Sequence, residues 1–155
     1  MGQAARTPIR SSFVLGSTSE IAKAICHELA RCGCRQFHLI ARNQAGNEQL
    51  AEQLRNHYGA VVTQEQTDLL TDVALDGPGK PQVGNYDLYL ITAGSLGDLE
   101  LARNDATEAL RITAANYSGL LPWLTAIATP ERLSCPGRLW VFSSVAADLG
   151  RPSNY

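Results

Sequence analysis

Apolar residues along this chain come in short runs, and between the runs they recur every three or four positions, a mixture of strand-like and helix-like periods. Ser12 to Leu15 is a short run carrying two strand formers, Phe13 and Val14; Gly16 follows, and then Ile21, Ile25 and Leu29 recur at helical spacing. The pattern predicts a strand, a turn and a helix that closes at Gly33. Phe37, Leu39 and Ile40 predict a second strand, and Leu50 and Leu54, four apart, a second helix over Gln49 to His57. Val61 and Val62 suggest a short third strand. Leu88 to Ile91 forms a fourth, fully apolar and therefore expected in the middle of a sheet, and Leu139 to Phe142 a fifth after the Pro136-Gly137 turn. Between the last two strands a long helical stretch runs from about Thr107 to Thr129. Leu110, Ala114, Tyr117, Leu120, Leu121 and Leu124 are set to cover the sheet, and Pro122 is expected to kink the helix.

Strands that alternate with helices imply βαβ crossovers, and so an α/β, doubly wound parallel sheet with helices on both faces and a ligand crevice at the carboxyl ends of the strands. The 155 residues suffice for one such domain, residues 1–155. Asp76 to Asn85, rich in Gly and Pro, reads as a surface connection and not a domain boundary, because the sheet resumes immediately after it.

Charge narrows the partners. A net charge of -2 with both signs scattered offers no basic stripe, which argues against nucleic acid and against an anionic membrane surface. No apolar run reaches the roughly 20 residues needed to span a bilayer, and Met1 to Arg10 lacks the apolar stretch of a secretory signal, so the cytoplasm is the expected compartment. Cys26, Cys32, Cys34 and Cys135 lack the paired spacing and histidine partners of a structural zinc site; they read as reduced thiols, with Cys26 on an apolar helix stripe.

The first turn, Leu15-Gly16-Ser17-Thr18-Ser19-Glu20-Ile21-Ala22, stands where a dinucleotide fold presents amides and a helix amino terminus to pyrophosphate. Gly16 allows a close turn, and three small hydroxyl residues can donate to phosphate. Glu20 and Ala22 stand where a Gly-x-x-x-Gly-x-Gly pattern has its other two glycines. Ser17 and Glu20 equally have capping-box spacing, which starts a helix without any ligand. The second strand ends Ile40-Ala41-Arg42-Asn43. An acid there would accept from an adenosine ribose 2′-hydroxyl and favour NAD. A small residue followed by arginine leaves room for a 2′-phosphate and favours NADP, although a strand-end arginine can also simply be solvated.

Asp68, just after the third strand, can accept from an adenine amino group or cap a helix before Leu69 and Leu70. Thr92-Ala93-Gly94 ends the central strand with residues small enough for a ribose to lie against the backbone, or merely turns the chain. Asn116 is a poor helix former inside the long helical stretch, and Ser143 and Ser144 end the fifth strand at the crevice edge; either could also be an ordinary surface or loop residue.

In this order and relative spacing, the Gly16–Ala22 turn, Ala41-Arg42, Asp68-Leu69, Ala93-Gly94, Asn116 and Ser143-Ser144-Val145-Ala146 resemble successive motifs of the short-chain dehydrogenase/reductase family across essentially the whole chain. The resemblance implies a Rossmann fold in which Gly16, Ser17, Thr18, Ser19, Glu20 and Ile21 hold the pyrophosphate. Arg42, with Asn43 beside it, would hold the 2′-phosphate, Asp68 and Leu69 the adenine, and Ala93, Gly94 and Ser95 the ribose. Asn116 would both support a catalytic water relay and stand at the cofactor, and Ser144 would orient a carbonyl or alcohol substrate. It implies hydride transfer between NADP(H) and a small-molecule carbonyl or alcohol, with NAD the lesser cofactor, and homo-oligomers for the complete enzyme. Leu15 to Ile21, Ser143 to Ala146, Arg151, Ser153 and Asn154 look most like the keto-reducing partner in decaprenylphosphoryl-ribose epimerisation.

Family members also carry Tyr-x-x-x-Lys, the tyrosine usually thirteen residues beyond the serine, which counted from Ser144 is position 157. The only lysines here are Lys23 and Lys80, and no tyrosine has one four residues later. The expectation is an amino-terminal part of such an enzyme, truncated after the fifth strand, inactive by itself, and leaving that strand as an exposed apolar edge. A cofactor-binding module without catalysis is the alternative.

Overall fold

Among the described residues five strands, β1 (Ser11–Leu15), β2 (Gln36–Ala41), β3 (Val61–Gln66), β4 (Leu88–Ile91) and β5 (Arg138–Val141), hydrogen-bond into one sheet. All are parallel, in the spatial order β3-β2-β1-β4-β5. The computed structural model describes residues 7–71, 81–133 and 137–143. Ser144, Cys135, the 72–80 part of the expected connection, Arg151, Ser153, Asn154 and Tyr155 lie outside these. Among the described residues no helix is long and apolar enough to cross a membrane.

The sheet order follows from where apolar residues fall. All four residues of β4 are buried, as are Ser12 to Leu15 of β1, so these two strands occupy the interior of the sheet. In β3 only Val62 is buried and the remainder is polar or part-exposed, a composition suited to an edge. Alternation along the interior strands separates two cores. Val14, Leu88 and Leu90 face one side, with Leu39 of β2. Phe13, Leu15, Tyr89 and Ile91 face the other.

The first core is closed by α1 (Glu20–Arg31) and α2 (Gln44–Tyr58), which bring Ala22, Cys26, Leu29, Leu50 and Leu54 against the sheet. Burying each of these leucines contributes about 1.5–3 kcal/mol. Cys26 is fully buried and desolvation pushes its thiol up to about 12; burial raises Cys34 to about 11. Such thiols are inert core residues, and Cys26, Cys32 and Cys34 are all free. The second helix begins five residues earlier than the apolar pattern indicates, because Asn43 caps it by accepting from the Gly46 amide.

The second core corrects the long-helix expectation. After the short α3 (Leu99–Ala102), the chain forms α4 (Ala106–Thr113), a π-helical turn (Ala114–Ser118), α5 (Leu121–Ile127) and the short α6 (Pro130–Leu133). Pro122 sits in the first turn of α5, where its missing N–H is not needed, so the break lies just before it and not at a kink within one helix. The wide π turn also rotates the face that meets the sheet. Leu120, Trp123 and Ile127 are buried there with Leu124 packed beside them, whereas Leu110 (69%), Tyr117 (64%) and Leu121 point outward.

Trp140 and Val141 of β5, an edge strand among the described residues, and Phe142 just after it are each between 43% and 49% exposed.

Candidate functional site

The chain runs outward from β1 through β2 to β3, then returns to place β4 on the other side of β1. The resulting switch point, beyond Leu15 and Ile91, opens a crevice of about 280 Å³.

Its floor is the turn from β1 into α1. The Gly16 and Ser17 amides both donate to Ile40 O, at 2.9 and 3.1 Å, while the Thr92 and Ala93 amides donate to Leu15 O, at 2.9 and 3.1 Å. The turn is thus sewn to β2 on one side and β4 on the other. Gly16 has φ +89°, and a Cβ there would overlap the Ala93 amide nitrogen and lie 2.6 Å from Ala93 Cα. Only glycine fits.

Ser19, not Ser17, caps α1: its hydroxyl accepts from the Ala22 amide at 3.1 Å, which corrects the Ser17–Glu20 capping box. Ser17 turns inward and is fully buried, its hydroxyl donating to Asn47 Oδ1 at 2.6 Å with Ile40 O at 3.2 Å, so it is not a side-chain donor to the crevice. Thr18 and Ser19 line the crevice. Glu20 points into solvent and pairs with Lys23 at 2.7 Å, and Ile21 is half exposed. The amides of Thr18, Glu20 and Ile21 donate to no acceptor among the described residues, which leaves them and the positive end of the α1 dipole to an anion.

One wall comes from the ends of β2 and β3. Ala41, Arg42 and Asn43 line it, with Thr67, Asp68 and Leu69 beside them. Asn43 is committed to capping α2. Arg42 is exposed and, among the described residues, has no ion-pair partner; its carbonyl accepts from Gln66 Nε2 at 3.3 Å. The Asp68 carboxylate accepts from the Leu70 amide at 3.0 Å and holds a tight turn over 69–71, where a helix was the alternative expectation.

Ala93, Gly94 and Ser95 line the opposite wall, braced from behind by Asn116 in the π turn. Asn116 Nδ2 donates to Ser95 O at 2.6 Å and to Ile112 O at 2.9 Å, and its Oδ1 accepts from the Ser95 amide at 2.9 Å. A Cβ on Gly94 would stand 2.8 Å from that Oδ1. The awkward helical position of Asn116 is thereby accounted for, because it lies on a wide turn and its amide is spent on the Ser95 and Ile112 backbone. Asn116 is not among the residues lining the crevice. Ser143 stands exposed at the end of β5, and Ser144 lies outside the described residues.

Two groups escaped the sequence reading. Asn47 is 2% exposed and joins α2 to the glycine turn, donating to Leu39 O at 3.0 Å and accepting from Ser17. Its signal was present as a polar residue on the Leu50–Leu54 stripe. On α4, Arg111 lines the crevice, held by Glu108 through Nε at 2.6 Å and Nη2 at 2.7 Å. Glu108 is itself buried and accepts from the Asp98 amide at 2.8 Å; hydrogen bonds from Arg111 and then from that amide lower its carboxyl to about 2.

No protein-family model matches the chain. It is 30% identical over 157 residues to an uncharacterized oxidoreductase of Streptomyces coelicolor, across 100% of this chain and 62% of that protein. To an uncharacterized oxidoreductase of Mycobacterium tuberculosis it is 31% identical over 148 residues, across 92% of this chain and 57% of that protein. The chain therefore spans about three-fifths of the length of these curated relatives. Among solved structures, a protein from Escherichia coli assigned as a short chain dehydrogenase, in complex with NADPH, superposes with a TM-score of 0.74 at 24% identity, over 92% of this chain and 61% of that one. The resemblance read from the sequence is thus met on both sides, by oxidoreductases among the relatives and by short-chain dehydrogenases among the folds.

Proposed function

We propose that this chain is the NADP(H)-binding part of a short-chain oxidoreductase that interconverts a carbonyl and an alcohol. The observation that carries the reading is Arg42, a cation with no ion-pair partner among the described residues, following the small Ala41 at the crevice wall. A 2′-phosphate would fit there, and a ribose-binding acid is missing from the same strand end.

The residues fit such a cofactor. A Cβ-intolerant Gly16 brings the backbone close, and the amides of Thr18, Glu20 and Ile21, which have no acceptor among the described residues, would serve pyrophosphate. Asp68 and Leu69 would take the adenine, and Ala93 to Ser95 the nicotinamide ribose. When bound, a nicotinamide dinucleotide supplies or accepts the hydride. Asn116 would act by fixing the 94–95 wall against which the ribose rests, and Ser144 by orienting the substrate oxygen through its hydroxyl. The proton-transfer pair implied by the family resemblance is not among these residues, so the chain's own part in the reaction is to hold and orient. We assign the protein to the cytoplasm, with a small-molecule substrate and a homo-oligomeric enzyme.

Fluorescence titration with NADPH and NADH tests this. NADPH should bind at least about tenfold tighter than NADH, and Arg42→Ala should remove that preference. A folded protein that binds neither nucleotide would sink the reading.

A further inference from the structure

Arg111 lies on the face of α4 that turns toward the crevice, one helical turn before Ala115, which also lines it. The same face continues to Gly119, where a Cβ would lie 2.5 Å from Leu69 O, so this stretch of chain leans on the Asp68–Leu70 turn. Arg111 therefore lines the same crevice as Asp68 and Leu69, the residues proposed above to take the adenine.

Its guanidinium is fixed more firmly than that of a surface arginine. Glu108 grips Nε and Nη2 in a two-point fork, and the carboxylate is in turn anchored by the Asp98 amide at 2.8 Å. Gly97 is part of the same arrangement, with φ +62° and no room for a Cβ between Ile112 and Glu108. The fork neutralises the arginine's charge and leaves its flat face and Nη1 edge uncommitted, since Nη1 has no hydrogen-bond partner among the described residues. A neutralised, oriented plane is poorly suited to be the counter-ion of a phosphate. It is well suited to stack on an aromatic base.

We infer that Arg111, held flat by Glu108, is a stacking platform for the adenine ring of the bound dinucleotide. The inference rests on the cofactor reading above, and it assigns the two arginines separate tasks. Arg42 reads the 2′-phosphate that distinguishes NADPH, and Arg111 grips the base that NADPH and NADH share.

The test is titration of wild type, Arg111→Ala, Arg111→Lys and Arg42→Ala with both dinucleotides, each variant checked for folding by thermal melting. Arg111→Ala should weaken NADPH and NADH by the same factor, about five- to tenfold, leaving their ratio unchanged, whereas Arg42→Ala changes the ratio. Arg111→Lys keeps a cation for Glu108 but has no plane, and should lose as much as the alanine variant; it carries the test if Arg111→Ala does not fold. Binding within twofold of wild type in either Arg111 variant, or a loss confined to NADPH, overturns the platform. Wild-type protein that binds neither dinucleotide overturns the cofactor reading itself, a result distinct from wild-type binding that survives the loss of Arg111.

Discussion

Asn116 grips Ser95 at both backbone polar groups, donating to its carbonyl at 2.6 Å and accepting from its amide at 2.9 Å. Past Ile91 the chain has left β4, and the side chain supplies the Ser95 N–H and C=O with the partners that a neighbouring strand would otherwise give. A residue that would read as a catalytic group from sequence is, in this fold, first a brace for the crevice wall. Asn116→Ala should cost about 1–2 kcal/mol in urea unfolding, reduced from the fully buried case because the site is partly wet. It should also weaken NADPH binding. Unchanged stability and unchanged affinity would remove the bracing role.

Gly16 makes a sharper demand. Alanine there would sit at φ +89° with its methyl driven into the Ala93 backbone, so either the turn rebuilds or β1 and β4 part. Gly16→Ala is expected to lower stability by about 2–4 kcal/mol and to abolish dinucleotide binding, read by thermal melting and titration on the same sample. A well-folded variant that still binds NADPH would show that the close approach is not required.

Ser17 and Asn47 form a buried pair 30 residues apart in sequence. Removing either leaves the other's polar atom without its partner, at about 1–3 kcal/mol each. The double replacement Ser17→Ala with Asn47→Leu should cost clearly less than the sum of the two, because neither side chain is left buried without the other. A double-mutant cycle in urea measures this, and strict additivity would mean that the 2.6 Å contact contributes nothing.

That pair also shows where legibility in the sequence stopped. Strand β4 could be read directly, since Leu88 to Ile91 is apolar throughout and an interior parallel strand needs both faces buried. The cap of α1 could not be read, because Ser17, Thr18 and Ser19 are three hydroxyls in a row and any of them can cap. Ser17 is drawn out of contention by Asn47 on another helix, a choice made by packing and invisible to local spacing. The π turn hid for a related reason. A stretch with apolar residues at Leu110, Tyr117, Leu121 and Leu124 fits one long helix, and only tertiary contact with Ser95 and Leu69 shows that its face turns midway. Arg42 and Asp68 were legible as crevice residues because the strand ends that carry them are fixed by topology.

At the β2 end, Ala41 is buried and small, and the cofactor reading makes its size a selector. Ala41→Asp would set a carboxylate against any 2′-phosphate and offer an acceptor to a free 2′-hydroxyl. NADPH affinity should fall by more than about tenfold while NADH is kept or gains, measured by competitive titration. Equal losses for both would mean that the substitution merely disturbed the strand.

Glu108 gives the fold an acid limit of its own. Its carboxyl titrates at about 2 in the folded protein against an ordinary 4.5, because Arg111 and the Asp98 amide hydrogen-bond the ionised form. A folded-state pKa below the unfolded one means that the unfolded chain takes up the proton first. The stabilisation from this group is therefore complete above about 4.5 and drains away as pH falls through the window between 4.5 and 2. Urea midpoints of wild type should drop on moving from about pH 6 to about pH 3, and Glu108→Gln, which cannot ionise, should drop less over the same interval. The glutamine variant should also start lower at neutral pH, having lost the charged fork on Arg111. If both proteins lose stability in parallel, other carboxylates govern the acid limit and Glu108 does not anchor Arg111 as described.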